Sequence, residues 1–306
     1  MELFSRHKPK SKELLQETTG DRIFGGFNTA FMIFLMIVCL YPIWFVVMAS
    51  FSDTASIQAN LGRLLWPHNF SIMAYRQALA HPLVVSGFRN IFFILIFSLP
   101  LQMIMTVFCG YFMSAKDMMF KTPIMIYLLF TMYFGGGLIP GYLNQRQLGL
   151  YNNLWALIIP GALSLYNAIV CKSAIDAIPN SLVESAYMDG ATDFTILTKI
   201  VLPLIKPTLA VILLWYFVGT WNSWFGASIY IEDSNLLPIQ NVLRSVLIAN
   251  DAALNSAQGS SSAGINQFAE TIKYSVIVIS TLPVMCVYPF VQKYFTKGVM
   301  IGSLKG

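Results

Sequence analysis

Charge is what this sequence has little of. Lysine, arginine, aspartate and glutamate make up 11 % of its 306 residues, against about 25 % in an average soluble domain, too little to cover a soluble surface. Cysteine is scarce as well. Cys39, Cys109, Cys171 and Cys286 each lie in an apolar run, which excludes a disulfide-stapled secreted scaffold. The net charge of +5 is small and dispersed, and no basic cluster is interleaved with aromatics, so no nucleic-acid partner is expected. What is present is apolar: 56 % of the residues are hydrophobic. The composition is that of a polytopic, all-α membrane protein.

Six charge-free windows follow, at 23–52, 90–115, 122–145, 147–171, 207–231 and 274–292. A bilayer core takes roughly 20 apolar helical residues, so each window holds one crossing and six transmembrane helices are expected. The uncharged stretch 252–269 (AALNSAQGSSSAGINQFA) is too polar to insert. With the N-terminus inside, thirteen lysines and arginines fall on cytoplasmic segments and six on outer ones, which satisfies the positive-inside rule. Both termini are therefore expected in the cytoplasm. The division is a cytoplasmic segment 1–22, a permease domain 23–292 with a cytoplasmic loop 172–206, and a cytoplasmic tail 293–306. The first apolar run is too long for a signal-peptide core and is expected to remain as an anchor.

The windows also bear on mechanism. None contains Asp, Glu, Lys, Arg or His, the groups that usually mark proton relays and ion paths in a membrane. A stand-alone secondary transporter and a membrane enzyme are both disfavoured on that ground. No catalytic residue and no metal site are expected, since the histidines, His7, His68 and His81, all lie outside the windows.

The loop between the fourth and fifth windows reads KSAIDAIPNSLVESAYMDGATDFTILTKIVLPLIKP. Pro179 and Asn180 break the preceding helix. Ser181 and Glu184 have the spacing of a capping box, and Asp189-Gly190 supplies a stop with glycine at the left-handed position. A second helix is expected from Thr192 or Asp193 to near Pro203. Leu182, Val183, Ala186 and Tyr187 share one face of the first helix. A helix of about two turns is not stable alone, so this face must lie on the bundle, on lipid or in a groove of another protein.

Glu184-Ser185-Ala186, Asp189-Gly190-Ala191, then Ile200, Leu202-Pro203 and Pro207 resemble the EAA loop of the membrane subunits of bacterial ATP-binding-cassette importers. Ser185 stands where that family usually has alanine. The DGA form, the six spans and the ending Gln292–Gly306 (QKYFTKGVMIGSLKG) are similar to the maltose-type carbohydrate branch, second permease subunit, and most to the lipoprotein-linked polysaccharide or oligosaccharide permeases. The resemblance implies the type I importer transmembrane fold and a bacterial cell-membrane location. It implies as partners a second homologous permease, two cytoplasmic ATPase subunits, an extracytoplasmic solute-binding protein, free or as a lipoprotein, and membrane lipid. The loop 181–207 would couple ATPase closure to alternating access. Leu182 and Ala186 would be buried in the ATPase, Gly190 would make the turn, and Pro203 and Pro207 would carry the tilt into the fifth span. Glu184 is open to two compatible roles, a charge contact to the ATPase or the capping box. The chain has no P-loop and is expected to bind no cofactor, ATP and magnesium being used by the ATPase. A non-sugar cargo is the alternative within the same class.

For the translocation path, Tyr216, Trp221, Asn222, Trp224 and Tyr230 gather aromatic faces and an amide at the outer end of the fifth window. Asn222 is the leading candidate, because a buried amide in a span needs a partner or lines a cavity. Trp224 and Tyr230 also fit an interfacial aromatic belt, and Asn90 fits either the path or a helix cap. Gly135-Gly136-Gly137 fits a broken helix or a flexible exit. The outer loops 53–89 and 232–273, the second containing AQGSSSAG at 257–264, are the surfaces a binding protein could touch.

Overall fold

The computed structural model describes residues 19–53, 56–57, 64–115, 118–256, 272–287 and 289. The stretch 257–264, the tail 293–306 and all but the end of the segment 1–22 lie outside the described residues. Among those described, every element is helical. In chain order they are α1 (Thr19–Ser50), α2 (Met73–Ala80), α3 (Pro82–Ser114), α4 (Lys121–Tyr133), α5 (Leu138–Gln147), α6 (Trp155–Ile158), α7 (Leu165–Asp176) and α8 (Asn180–Met188). There follow α9 (Asp193–Leu204), α10 (Lys206–Asn222), α11 (Phe225–Tyr230), α12 (Ile239–Ser256) and α13 (Ile272–Val287).

Two of these helices are by themselves long and apolar enough to cross a bilayer: α1, with 32 residues and a mean hydropathy of 2.6, and α3, with 33 residues and 2.3. The other windows are interrupted. The glycine run breaks the third window, so that α4 and α5 meet at 112°. Pro160-Gly161 lies between α6 and α7 in the fourth, and the fifth is interrupted after Asn222. Charge-free length reports what a bilayer tolerates; it does not report where backbone hydrogen bonding breaks, so windows and helices need not coincide.

The spine of the bundle is α3, along which α7, α10 and α12 pack. It can start at Pro82 because the first helical position has no use for an N–H. Its approach to α7 depends on Gly110, where an added Cβ would lie 3.0 Å from both Cβ and Sγ of Cys171 and 3.2 Å from the Ala168 carbonyl. Around that crossing Val107, Cys171, Ile175, Ala186, Ile196 and Val201 form one buried cluster. A second, around Ile91, Leu95, Trp221 and Ile239, joins α3, α10 and α12.

Two sequence expectations change here. Asn90 is not a helix cap, since α3 begins eight residues earlier, and it does not line the cavity described below. It is buried, and its Nδ2 donates to the Asn235 carbonyl at 2.7 Å and the Leu237 carbonyl at 3.1 Å, pinning the connection before α12. Replacing it by leucine would leave both carbonyls without that donor. Asn90→Leu is expected to cost about 1–3 kcal/mol, measured as a lower melting temperature in detergent. Trp221 likewise belongs to the core, with its indole N–H donating to the Ser280 carbonyl at 3.1 Å.

At the far end of α3 a polar clamp holds three helices. Ser114 donates to Asp176, Lys172 pairs with Asp176, and Lys121 donates to the Ala115 carbonyl. Partial burial disfavours the charged form of Asp176. Hydrogen bonds from Lys172 and Ser114, with the charges of Lys172 and Lys121, outweigh it and hold the carboxyl below its ordinary value.

Candidate functional site

The loop after α7 folds into a helix pair. Pro179 precedes the first turn of α8, and no side chain caps it. The expected capping box is therefore absent: Ser181 sits inside the first turn, where its carbonyl accepts from the Ser185 hydroxyl at 2.8 Å. Glu184 is exposed and makes no hydrogen bond among the described residues, which leaves its carboxylate available to a partner.

The stop after α8 is a Schellman turn. Asp189 closes the helix, Gly190 adopts φ +78°, its N–H donates to the Tyr187 carbonyl at 3.0 Å, and the Ala191 N–H reaches the Ala186 carbonyl at 2.9 Å. Thr192 then caps α9, its hydroxyl accepting from the Thr195 N–H at 3.4 Å. Across the turn the Tyr187 hydroxyl donates to Asp193. That bond, and then burial, push the Tyr187 phenol well above its ordinary value, so it stays a donor throughout the physiological range.

The faces of the pair differ from the expectation in one respect. Ala186 is turned into the chain's own core with Ile175 and Ile196, so it sets how closely α8 seats on the bundle and is not a contact for a partner. Leu182 remains outward at 47 % exposed, joined by two residues that the sequence reading passed over, Met188 at 88 % and Phe194 at 66 %.

Further along, α9 contains a π-helical stretch, Leu197–Val201. Pro203 follows it and has no N–H to donate to the carbonyl four residues back, which is Lys199 within that stretch. The break falls at Ile205. Pro207 lies in the first turn of α10, which leaves α9 at 82°. Pro203 and Pro207 thus flank a sharp corner between the helix pair and the apolar helix beyond.

A cavity of about 310 Å³ opens between α3, α7 and α10. Of the residues proposed for the path, Tyr216 lines it. The Tyr216 hydroxyl accepts from the Ser164 N–H at 3.0 Å and shares a hydrogen bond with the Thr106 hydroxyl at 2.7 Å. Asn222 does not line the cavity; its amide turns back to the Val218 carbonyl at 2.9 Å. Trp224 lies under the Arg244 guanidinium, 3.7 Å from its ring centre, and Tyr230 stacks on Tyr142 with centroids 6.0 Å apart. The sequence reading missed Gln102, Ser164, Asn167, Trp215, Thr220 and Ser223, all in the lining. Gln102 and Asn167 are amides inside charge-free windows, the same signal that singled out Asn222.

Comparison with known proteins bears on both regions. Residues 70–301 match the family described as binding-protein-dependent transport system inner membrane component, a span that includes the helix pair and the cavity. A polygalacturonan/rhamnogalacturonan transport system permease protein of Bacillus subtilis (strain 168), YtcP, is 36 % identical over 286 residues, 94 % of this chain and 99 % of the relative. The protein LplC of the same organism is 34 % identical over 292 residues, 95 % and 98 % of the two chains. Among solved structures, a chain of a bacterial ABC transporter involved in the import of the acidic polysaccharide alginate superposes with a TM-score of 0.81 at 32 % identity, covering 91 % of this chain and 98 % of that one.

Proposed function

The chain belongs to the binding-protein-dependent transport system inner membrane components, and from that membership we propose that it is a permease subunit of an ATP-driven carbohydrate importer of the bacterial plasma membrane. The cargo would be an oligosaccharide or polysaccharide fragment, the class that the names of its relatives specify for them. The observation that carries the coupling role is the helix pair: a short helix seated on the bundle by Ala186, closed by the Gly190 turn, bearing Leu182, Met188 and Phe194 outward, and running through a proline-flanked corner into α10. Such a unit turns a push on the outward face into a tilt of the apolar helix.

The remaining parts follow as one arrangement. Six crossings would be made by α1, α3, α4, α6 with α7, α10 and α13, with α5 and α9 lying off the spans and both termini in the cytoplasm. ATP hydrolysis, with its magnesium, would belong to two ATPase subunits, one of them docked on α8 and α9. A second permease would complete the path, and an extracytoplasmic binding protein would deliver the sugar.

Purification from the native membrane in mild detergent, followed by mass spectrometry, tests this assembly. Recovery with a P-loop ATPase and a second permease is expected; recovery of the intact chain alone, active in ATP-free vesicles, would overturn the importer reading. Within the assembly, Tyr187→Phe is expected to leave association intact and to lower uptake per ATP about two- to five-fold, since an exposed bond to a charged group contributes on the order of 1 kcal/mol. Uptake and ATP hydrolysis measured side by side check it.

A further inference from the structure

The segment between α1 and α3 carries a surface that neither the fold nor the importer reading uses. α1 ends at Ser50 and α3 begins at Pro82. With both crossing, the chain between them stays on one face of the membrane and starts and ends at its headgroups. It is fastened in place. The Trp44 indole N–H donates to the Leu65 carbonyl at 2.9 Å, the Ser50 and Tyr75 hydroxyls share a hydrogen bond at 2.7 Å, and the Phe51 ring stacks on Phe70 with centroids 5.5 Å apart. Ala74 and Ala78 are the buried side of α2.

On its other side Met73, Arg76, Gln77 and Ala80 stand at i, i+3, i+4 and i+7, one helix face. With Phe70 and Ile72 they line an open groove of about 590 Å³. Phe70 is 68 % exposed and Trp66, four residues before it, 69 %. Aromatic side chains left this open belong where water meets lipid. Arg76 and Gln77 make no ion pair and no side-chain hydrogen bond among the described residues. The carboxylate of the segment, Asp53, is already engaged, accepting from the Ser56 N–H at 2.9 Å and the Asn69 amide at 3.2 Å.

A groove so built suits a ligand with anionic oxygens at one end and hydrocarbon at the other. The guanidinium fork matches two oxygens of a phosphate, and the Gln77 amide can donate to a third. Hydrocarbon has Phe70, Ile72 and Met73 to lie against. The unpaired positive charge also selects among lipids, because a choline headgroup would bring a second cation beside Arg76 and a glycerol headgroup would not. Just beyond Ala80, α3 continues with the exposed Val85 and Phe92, so an acyl chain leaving the groove meets apolar surface.

We propose that this groove holds an anionic glycerophospholipid, its phosphate on Arg76 and Gln77 and an acyl chain along Phe70, Ile72 and Met73. The site ties the ends of α1 and α3 to the bilayer surface and is independent of the cargo.

The test places the whole complex in phosphatidylcholine vesicles doped with a photoactivatable phosphatidylglycerol and maps the label by peptide mass spectrometry. Label is expected on residues 65–80, displaced by unlabelled phosphatidylglycerol and not by further phosphatidylcholine or by free glycerol phosphate. Arg76→Gln should lower it about fivefold, the loss of one arginine's attraction to an anionic headgroup, with labelling elsewhere on the chain unchanged. Met73→Glu puts a carboxylate on the same face and should lower it too. Met73 is exposed, so this variant decides the matter should Arg76→Gln fail to assemble. Label that phosphatidylcholine displaces equally well, or that both variants leave unchanged, overturns the site. Weakened affinity for the binding protein in the variants, with the lipid label unchanged, overturns it as well and makes the groove a protein-docking surface. Each of these results leaves the importer reading standing.

Discussion

Gly190→Val is expected to abolish most ATP-driven uptake while leaving the chain inserted and assembled. Gly190 holds φ +78°, a conformation that costs an L-residue roughly 1–2 kcal/mol and a β-branched one more. An added Cβ would meet nothing within 4 Å, so the penalty is conformational and cannot be relieved by repacking. Relief must come from opening the turn, which breaks the Gly190 to Tyr187 and Ala191 to Ala186 bonds. The outward residues on either side of it, Leu182 and Met188 on α8 and Phe194 on α9, would then shift relative to one another. A shift of that size moves the population of the closed turn by about tenfold. Gly190→Asn is the matched control, because asparagine visits the left-handed region readily. It should retain most of the uptake. Equal loss in both variants, or none in Gly190→Val, would remove the turn from the coupling mechanism.

The second large effect is expected at Gly110. Helices in a bilayer gain little from hiding apolar surface from one another and associate where small residues let backbones approach. A Cβ at this position would lie 3.0 Å from Cys171 Cβ and Sγ, so Gly110→Leu must drive α3 and α7 apart. Overpacking of this kind costs about 1–3 kcal/mol, occasionally more. The consequence reaches beyond the crossing, because Val107 and Cys171 share one buried cluster with Ala186 and Ile196 of the helix pair. Gly110→Leu should therefore lower the melting temperature of the purified complex and its coupled ATPase activity together. Gly110→Ala should be milder and largely rescued by Cys171→Gly. A pair of variants no more stable than Gly110→Ala alone would mean that another contact limits the approach.

How much of this was legible beforehand depended on whether a feature is local. The helix pair largely was: the Asp189-Gly190 turn and the start of the second helix act through bonds within a few residues and fall where the sequence put them, whereas the expected capping box at Ser181 and Glu184 is absent. Helix continuity was not. Gly135-Gly136-Gly137 was compatible with a break or a loose exit, and the 112° bend between α4 and α5 resolves it as a break. Direction was the least legible. Ala186 and Leu182 share a helix face by spacing, yet one is buried and the other 47 % exposed, because the bundle covers part of that face and spacing cannot say how much. The position of the cavity was illegible for the same reason. Trp221 and Asn222 are neighbours at one helix end, but the first points into α3 and α12 and the second bonds its own helix, while the cavity lies about a turn earlier on α10, at Trp215, Tyr216 and Thr220.

The most direct measurement is uptake of a radiolabelled trisaccharide into proteoliposomes containing the complete complex, with and without enclosed ATP and with and without the binding protein. The account predicts accumulation when ATP and binding protein are both present, none when either is missing, and only a small residue of it in Gly190→Val. Accumulation without ATP, driven by an imposed ion gradient, would contradict it and make the chain a carrier that needs no ATPase.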